Sequence, residues 1–117
     1  MALFRIFLVA IIAFVSIYTM FVVAAHGLGL LPIFFGDIMT MGWPGQFNVD
    51  FFAFLSLGAL WLMWRHHFSI GGILLGICVF AGGAPFVCTY LLMASAQAKG
   101  DVATLLLGAR RAASSSQ

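Results

Sequence analysis

Three histidines, three aspartates and two cysteines are the side chains of this 117-residue chain with types suited to metal binding, proton transfer or nucleophilic attack. His66 and His67 are neighbours, which invites a metal or haem reading. Adjacent helical residues point about 100° apart, and no cysteine or carboxylate stands at ligand spacing, so the pair reads as interfacial histidines beside Arg65. His26 falls at the far end of the first apolar run and cannot join them. Asp37 and Asp50 are the acidic groups nearest the bilayer interior. An intramembrane carboxylate can mark a proton or ion path. Asp50, however, follows Asn48 at the start of an apolar run, where capping and the helix dipole account for it. The meaning of Asp37 depends on how deep its segment lies. Trp43, Gln46, Asn48 and Asp50 form the densest polar and aromatic cluster near a membrane face, and a small ligand would be sought there. Cys78 and Cys88 share one apolar run. Ten helical residues separate them by about 15 Å along the axis, too far for a disulfide, so they read as small buried hydrophobes. No Ser–His–Asp or Cys–His set assembles, because its members fall at opposite membrane faces. The expectation is no catalytic residue, no cofactor and no metal.

The elements that carry these residues are membrane helices. The chain is 64% hydrophobic and 7% charged, with a mean hydropathy of +1.17, whereas soluble domains are about half apolar and a quarter charged. Arg5, Arg65, Lys99, Arg110 and Arg111 against Asp37, Asp50 and Asp101 leave a net charge of +2. All five cations sit at the edges of apolar runs, which suits headgroups rather than nucleic acid.

In chain order, residues 5–25 form a first crossing, since about 20 apolar residues span a 30 Å hydrocarbon core. Val23-Ala24-Ala25 resembles a signal-cleavage site, but the run exceeds an h-region of roughly 7–15 residues, which favours a retained helix. Residues 28–41 are apolar but interrupted by Pro32, Gly36 and Asp37, too short to span, and read as interfacial or re-entrant. Trp43, Pro44 and Gly45 read as a turn. A second crossing is expected over 48–67, capped by Asn48 and closed by Trp61, Trp64 and Arg65 as an aromatic and basic anchor. A third crossing is expected over 70–97, kinked near 82–85 by Gly82-Gly83-Ala84-Pro85. Its Gly72, Gly76 and Gly83 make a small-residue packing stripe, and Tyr90 is expected near the far interface. Residues 101–111 read as an amphipathic surface helix anchored by Arg110 and Arg111, and 112–117 as a disordered tail. The fold class is therefore an all-α integral membrane domain with three transmembrane helices.

Three crossings put the termini on opposite sides and leave the positive-inside rule almost undecided. The lack of Lys and Arg between His26 and Gln46 favours an N-terminus inside. A re-entrant hairpin broken at Gly82–Pro85 would remove the conflict by gathering all five cations on one side, provided protein covers its freed backbone groups.

His26-Gly27-Leu28 after the first span, Gln46-Phe47 and Asp50 opening the second, Trp64-Arg65 closing it, and Pro85 with Tyr90-Leu91-Leu92 in a Gly-rich third resemble short bacterial inner-membrane proteins of a domain-of-unknown-function family. That resemblance implies three or four helices and carries no functional residue over. The expected role is a non-catalytic accessory or assembly subunit of a larger inner-membrane complex, docking through the small-residue faces. The alternatives are a homo-oligomeric transporter or channel using Asp50 or Asp37, and a haem- or pigment-binding protein. Expected partners are the lipid bilayer and other membrane subunits.

Overall fold

The computed structural model describes residues 2–115. Among the described residues six helices follow one another and there is no strand: α1 (Ala2–His26), α2 (Leu30–Met39), α3 (Trp43–Arg65), α4 (Ile70–Ala98), α5 (Val102–Leu107) and α6 (Ala109–Ser115). Among these, α1, α3 and α4 are long and apolar enough to cross a membrane. The fold is all-α and multi-pass.

The start of α3 differs from the sequence expectation. Trp43, Pro44 and Gly45 form the first helical turn instead of a separate turn, with Gly42 extended at the N-cap and Pro44 in the first positions. Proline there lacks only an N–H that a helix start leaves unpaired anyway, and its fixed φ suits the helix. Asn48 is therefore no cap. Its side-chain amide donates instead to Phe34 O on α2 at 3.1 Å. Gly45 lets the two backbones meet: a Cβ there would lie 2.9 Å from both Asp37 C and Ile38 Cα. Thus α2 is a helix laid along the first turns of α3.

The decisive feature is in α4. The Ser69 hydroxyl caps its start, accepting from Gly72 N at 3.1 Å. The helix then breaks at Gly83, whose φ of 61° and ψ of −144° are far from helical. That corner of backbone space is essentially glycine-only, and Pro85 just beyond removes a backbone donor. The expected kink is a reversal. Gly72 approaches the His66 side chain, and Tyr90 hydrogen-bonds the same histidine. A straight helix would hold residues 72 and 90 about 27 Å apart. The first arm, 70–82, runs antiparallel to α3: Gly76 lies under Met63 and Ala59, and the Phe80 and Phe52 rings are 5.3 Å apart. The second arm, 84–98, runs back alongside α1, where Arg5 bonds Ser95. Tyr90 consequently lies at the Arg65 end, opposite to the sequence expectation.

Two cores hold the arms. Ala59, Leu62 and Val79 are buried together, with Phe86, Val87 and Tyr90 of the returning arm packed on them. Ala94, Ala98 and Leu105 form the second, against Phe4 of α1. The two cysteines lie equally far from Gly83 on opposite arms, so the axial separation of a straight helix does not apply. Cys88 is buried, Cys78 is exposed, and both thiols are free.

The expected single surface helix over 101–111 is two short helices, broken at Gly108 with φ 86°. Gly108 lies against Arg65, and a Cβ there would be 3.3 Å from Arg65 O. Helix extends to Ser115, into the stretch expected to be a disordered tail, and Ala112 is buried. Residues 116–117 of that expected tail lie outside the described residues.

Candidate functional site

Two polar clusters occupy opposite ends of the molecule. The first is built around Arg65 at the end of α3. A helix leaves its last carbonyls without internal partners, and α3 supplies donors to those of α5. Arg65 Nε donates to Leu105 O at 2.9 Å, Arg65 Nη2 to Thr104 O at 3.3 Å, and Trp61 Nε1 to Leu106 O at 2.9 Å. The exchange is reciprocal, because Arg111 of α6 donates to Trp64 O and stacks 4.1 Å from the Trp64 ring. Each cation thus meets the negative end of the other element's helix dipole.

Inside this clasp lies a triad that sequence spacing did not reveal. Arg65 Nη1 donates to the Tyr90 hydroxyl at 2.6 Å, and that oxygen is 2.5 Å from His66 Nε2. With the guanidinium donating to the phenol oxygen, the phenol proton is directed to Nε2, which leaves the imidazole proton on Nδ1. Burial first, then the charges of Arg65 and His67, hold His66 below the ordinary imidazole value of 6.5. Protonation of Nε2 would remove the acceptor that Tyr90 uses. A lowered folded-state value means that the unfolded chain takes up the proton first, so stability is full above about pH 6.5 and declines as pH falls below it. Thermal unfolding in detergent is expected at a lower temperature at pH 5 than at pH 7.5, and His66→Gln is expected to flatten that dependence.

Around the triad the remaining cations gather. Arg5 reaches Ser95 Oγ and Ser95 O, both at 3.2 Å, while Lys99 and Arg110 are exposed. Asp101 lies at the same end, where the Thr104 hydroxyl, 2.5 Å from its carboxylate, holds its pKa below the usual carboxylate range. All five Lys and Arg residues of the chain are therefore at one end.

The second cluster lies at the start of α3. Gln46 and Asp50 line an open groove between α2 and α3 with Ile38, Met41, Gly42 and Gly45. Asn48 points to Phe34 instead, and Trp43 is exposed beside Phe47, ring centroids 6.3 Å apart. Because α3 starts at Trp43, Asp50 is two turns inside the helix and caps nothing.

The other residues singled out by sequence fall as follows. Gly72, Gly76 and Gly83 are buried against α3 of the same chain, so the stripe is covered from within. Trp61, Trp64, Arg65 and Arg111 are brought together in the clasp, and His26 stays at the opposite end from His66. Tyr90, Ser95 and Thr104 were missed, because only the reversal at Gly83 brings α4 and α5 to them. Among the described residues, no three of the His, Cys and Asp side chains gather in a metal-binding group.

Fold and clusters together define an all-α, multi-pass membrane protein. The chain matches no known family, no curated protein and no solved structure, so this class rests on the fold alone.

Proposed function

We propose that the chain is a non-catalytic accessory or assembly subunit of a larger bacterial inner-membrane complex, with its N-terminus on the cytoplasmic side. The observation that carries this reading is the position of Asp50. Fifteen residues separate it from Arg65, about 22 Å along the helix. With Arg65 at one interface of a roughly 30 Å core, Asp50 lies some 8 Å beneath the other. It is exposed, without a cation near it, at a depth where an unpaired carboxylate is costly. A partner helix offering a hydrogen-bond donor or a cation would remove that cost. The groove between α2 and α3 is then the docking face, in place of the glycine stripe, which α3 of this chain already covers.

Purification from native membranes in a mild detergent tests this. The expected result is a stoichiometric membrane partner whose recovery falls about tenfold with Asp50→Ala, equivalent to ~1.4 kcal/mol. Recovery of the chain alone, or an undiminished partner with Asp50→Ala, contradicts it. The same carboxylate supports a second reading, a homo-oligomeric transporter or channel using Asp50 or Asp37. Its mark is a clean homo-oligomer that loses transport in Asp50→Asn with the fold intact. A haem- or pigment-binding role has less support, because His66 is engaged by Tyr90 and His26 is remote from it.

A further inference from the structure

The membrane path of α4 follows from its contacts. The first arm, 70–82, is about 20 Å long and the second, 84–98, about 22 Å, and neither spans a core of roughly 30 Å. The tip stops short of the far side. Gly83 lies beside Phe51, and Val15 and Ser16 of α1 flank the space over Gly83–Pro85. From Ser16, α1 continues ten residues further to His26, about 15 Å beyond the tip. A break at this depth needs protein around its freed backbone groups. Gly83 itself is buried, Ala84 and Pro85 are half-buried, and Val15, Ser16 and Thr19 of α1, Phe51 of α3 and Leu30 of α2 line the space beside them, while Ala81 and Gly82 are exposed.

We propose that residues 70–98 form a re-entrant hairpin that enters and leaves the bilayer by one face. The start of α1, the end of α6 and all five cations then share that face, where exposed Lys99 and Arg110 meet anionic phospholipid headgroups. The chain crosses fully only with α1 and α3. The charge distribution agrees: that end holds Arg5, Arg65, Lys99, Arg110 and Arg111 against Asp101, whereas the other holds Asp37 and Asp50 and no Lys or Arg. The positive-inside rule, nearly balanced for three crossings, becomes one-sided. A leaflet of negative surface potential is the occupant such a face fits. This inference is independent of the accessory role, since it requires no partner protein.

The test uses the full chain with a short peptide tag on each end, in sealed vesicles of either orientation. Protease added outside is expected to remove both tags from inside-out vesicles and neither from right-side-out ones. Tags removed from opposite orientations would overturn the hairpin. For the headgroup contact, protein taken from mixed phosphatidylglycerol and phosphatidylcholine is examined by native mass spectrometry. Retained phosphatidylglycerol is expected to exceed phosphatidylcholine several-fold, and the double change Lys99→Gln, Arg110→Gln to abolish that preference. Equal retention of both lipids by the unaltered protein would overturn it.

Discussion

Arg65→Ala is expected to release α5 and α6 from the rest of the molecule at a cost of about 3 kcal/mol. The guanidinium makes three hydrogen bonds, to Tyr90, Leu105 and Thr104, and its carbon lies 5.5 Å from the Tyr90 ring centroid. Hydrogen bonds to charged groups contribute roughly 1.5–3 kcal/mol each in water-soluble proteins, and about 0.6 kcal/mol is the average for polar contacts within a membrane. The clasp sits at the boundary between those regimes, which sets the estimate between their sums. Hydrogen exchange over residues 99–115 is expected to accelerate sharply while α2 is unaffected. Arg65→Lys keeps the charge but loses the fork, and an intermediate effect is expected. Protection unchanged in Arg65→Ala would show that Trp61 and Arg111 suffice to hold the clasp.

Gly45→Val is expected to cost a similar ~3 kcal/mol at the other end of the molecule, through overpacking. What the new side chain meets is backbone: the Asp37 carbonyl and, at 2.9 Å, Ile38 Cα. Neither can swing aside, so α2 must lift from α3 and the bond from Asn48 to Phe34 O is lost. Gly36→Ala is the matched control, because nothing lies within 4 Å of a Cβ there. Alanine in a helix gains about 1 kcal/mol over glycine, so this variant is expected to be as stable as the parent or more so. Thermal melts in detergent separate the two. Comparable melting temperatures for Gly45→Val and the parent would contradict the close α2–α3 crossing.

Much of the fold was legible because hydropathy and length speak directly to membrane helices. The three apolar runs, the short non-spanning segment between the first two and the break near 82–85 all follow from composition and from glycine and proline placement. The direction of the chain after the break was not legible. It depends on the backbone angles of Gly83 alone, and a bend and a reversal use the same residues. Every contact of Tyr90 and Ser95 depends on that choice, so the Arg65–Tyr90–His66 triad was out of reach even though His66 and Arg65 were both singled out. The start of α3 was misread for a different reason. Trp-Pro-Gly is turn chemistry when the following residue can cap, but proline also opens helices, and the close contact between Gly45 and α2 decides for the helix. That shift of the helix start turned Asp50 from an expected cap into an exposed carboxylate within a membrane span.

The reversal of α4 is tested most directly by a distance between its two ends. Spin labels at Gly71→Cys and Gln97→Cys, both exposed positions, in a background with Cys78→Ser and Cys88→Ala, report it by pulsed dipolar spectroscopy in lipid. A straight helix holds residues 71 and 97 about 39 Å apart. Neighbouring helices pack with axes roughly 8–10 Å apart, so the hairpin predicts a single population below about 25 Å. A distribution centred near 39 Å would mean that α4 crosses the bilayer as one rod, with Tyr90 far from Arg65 and the five cations divided between two faces.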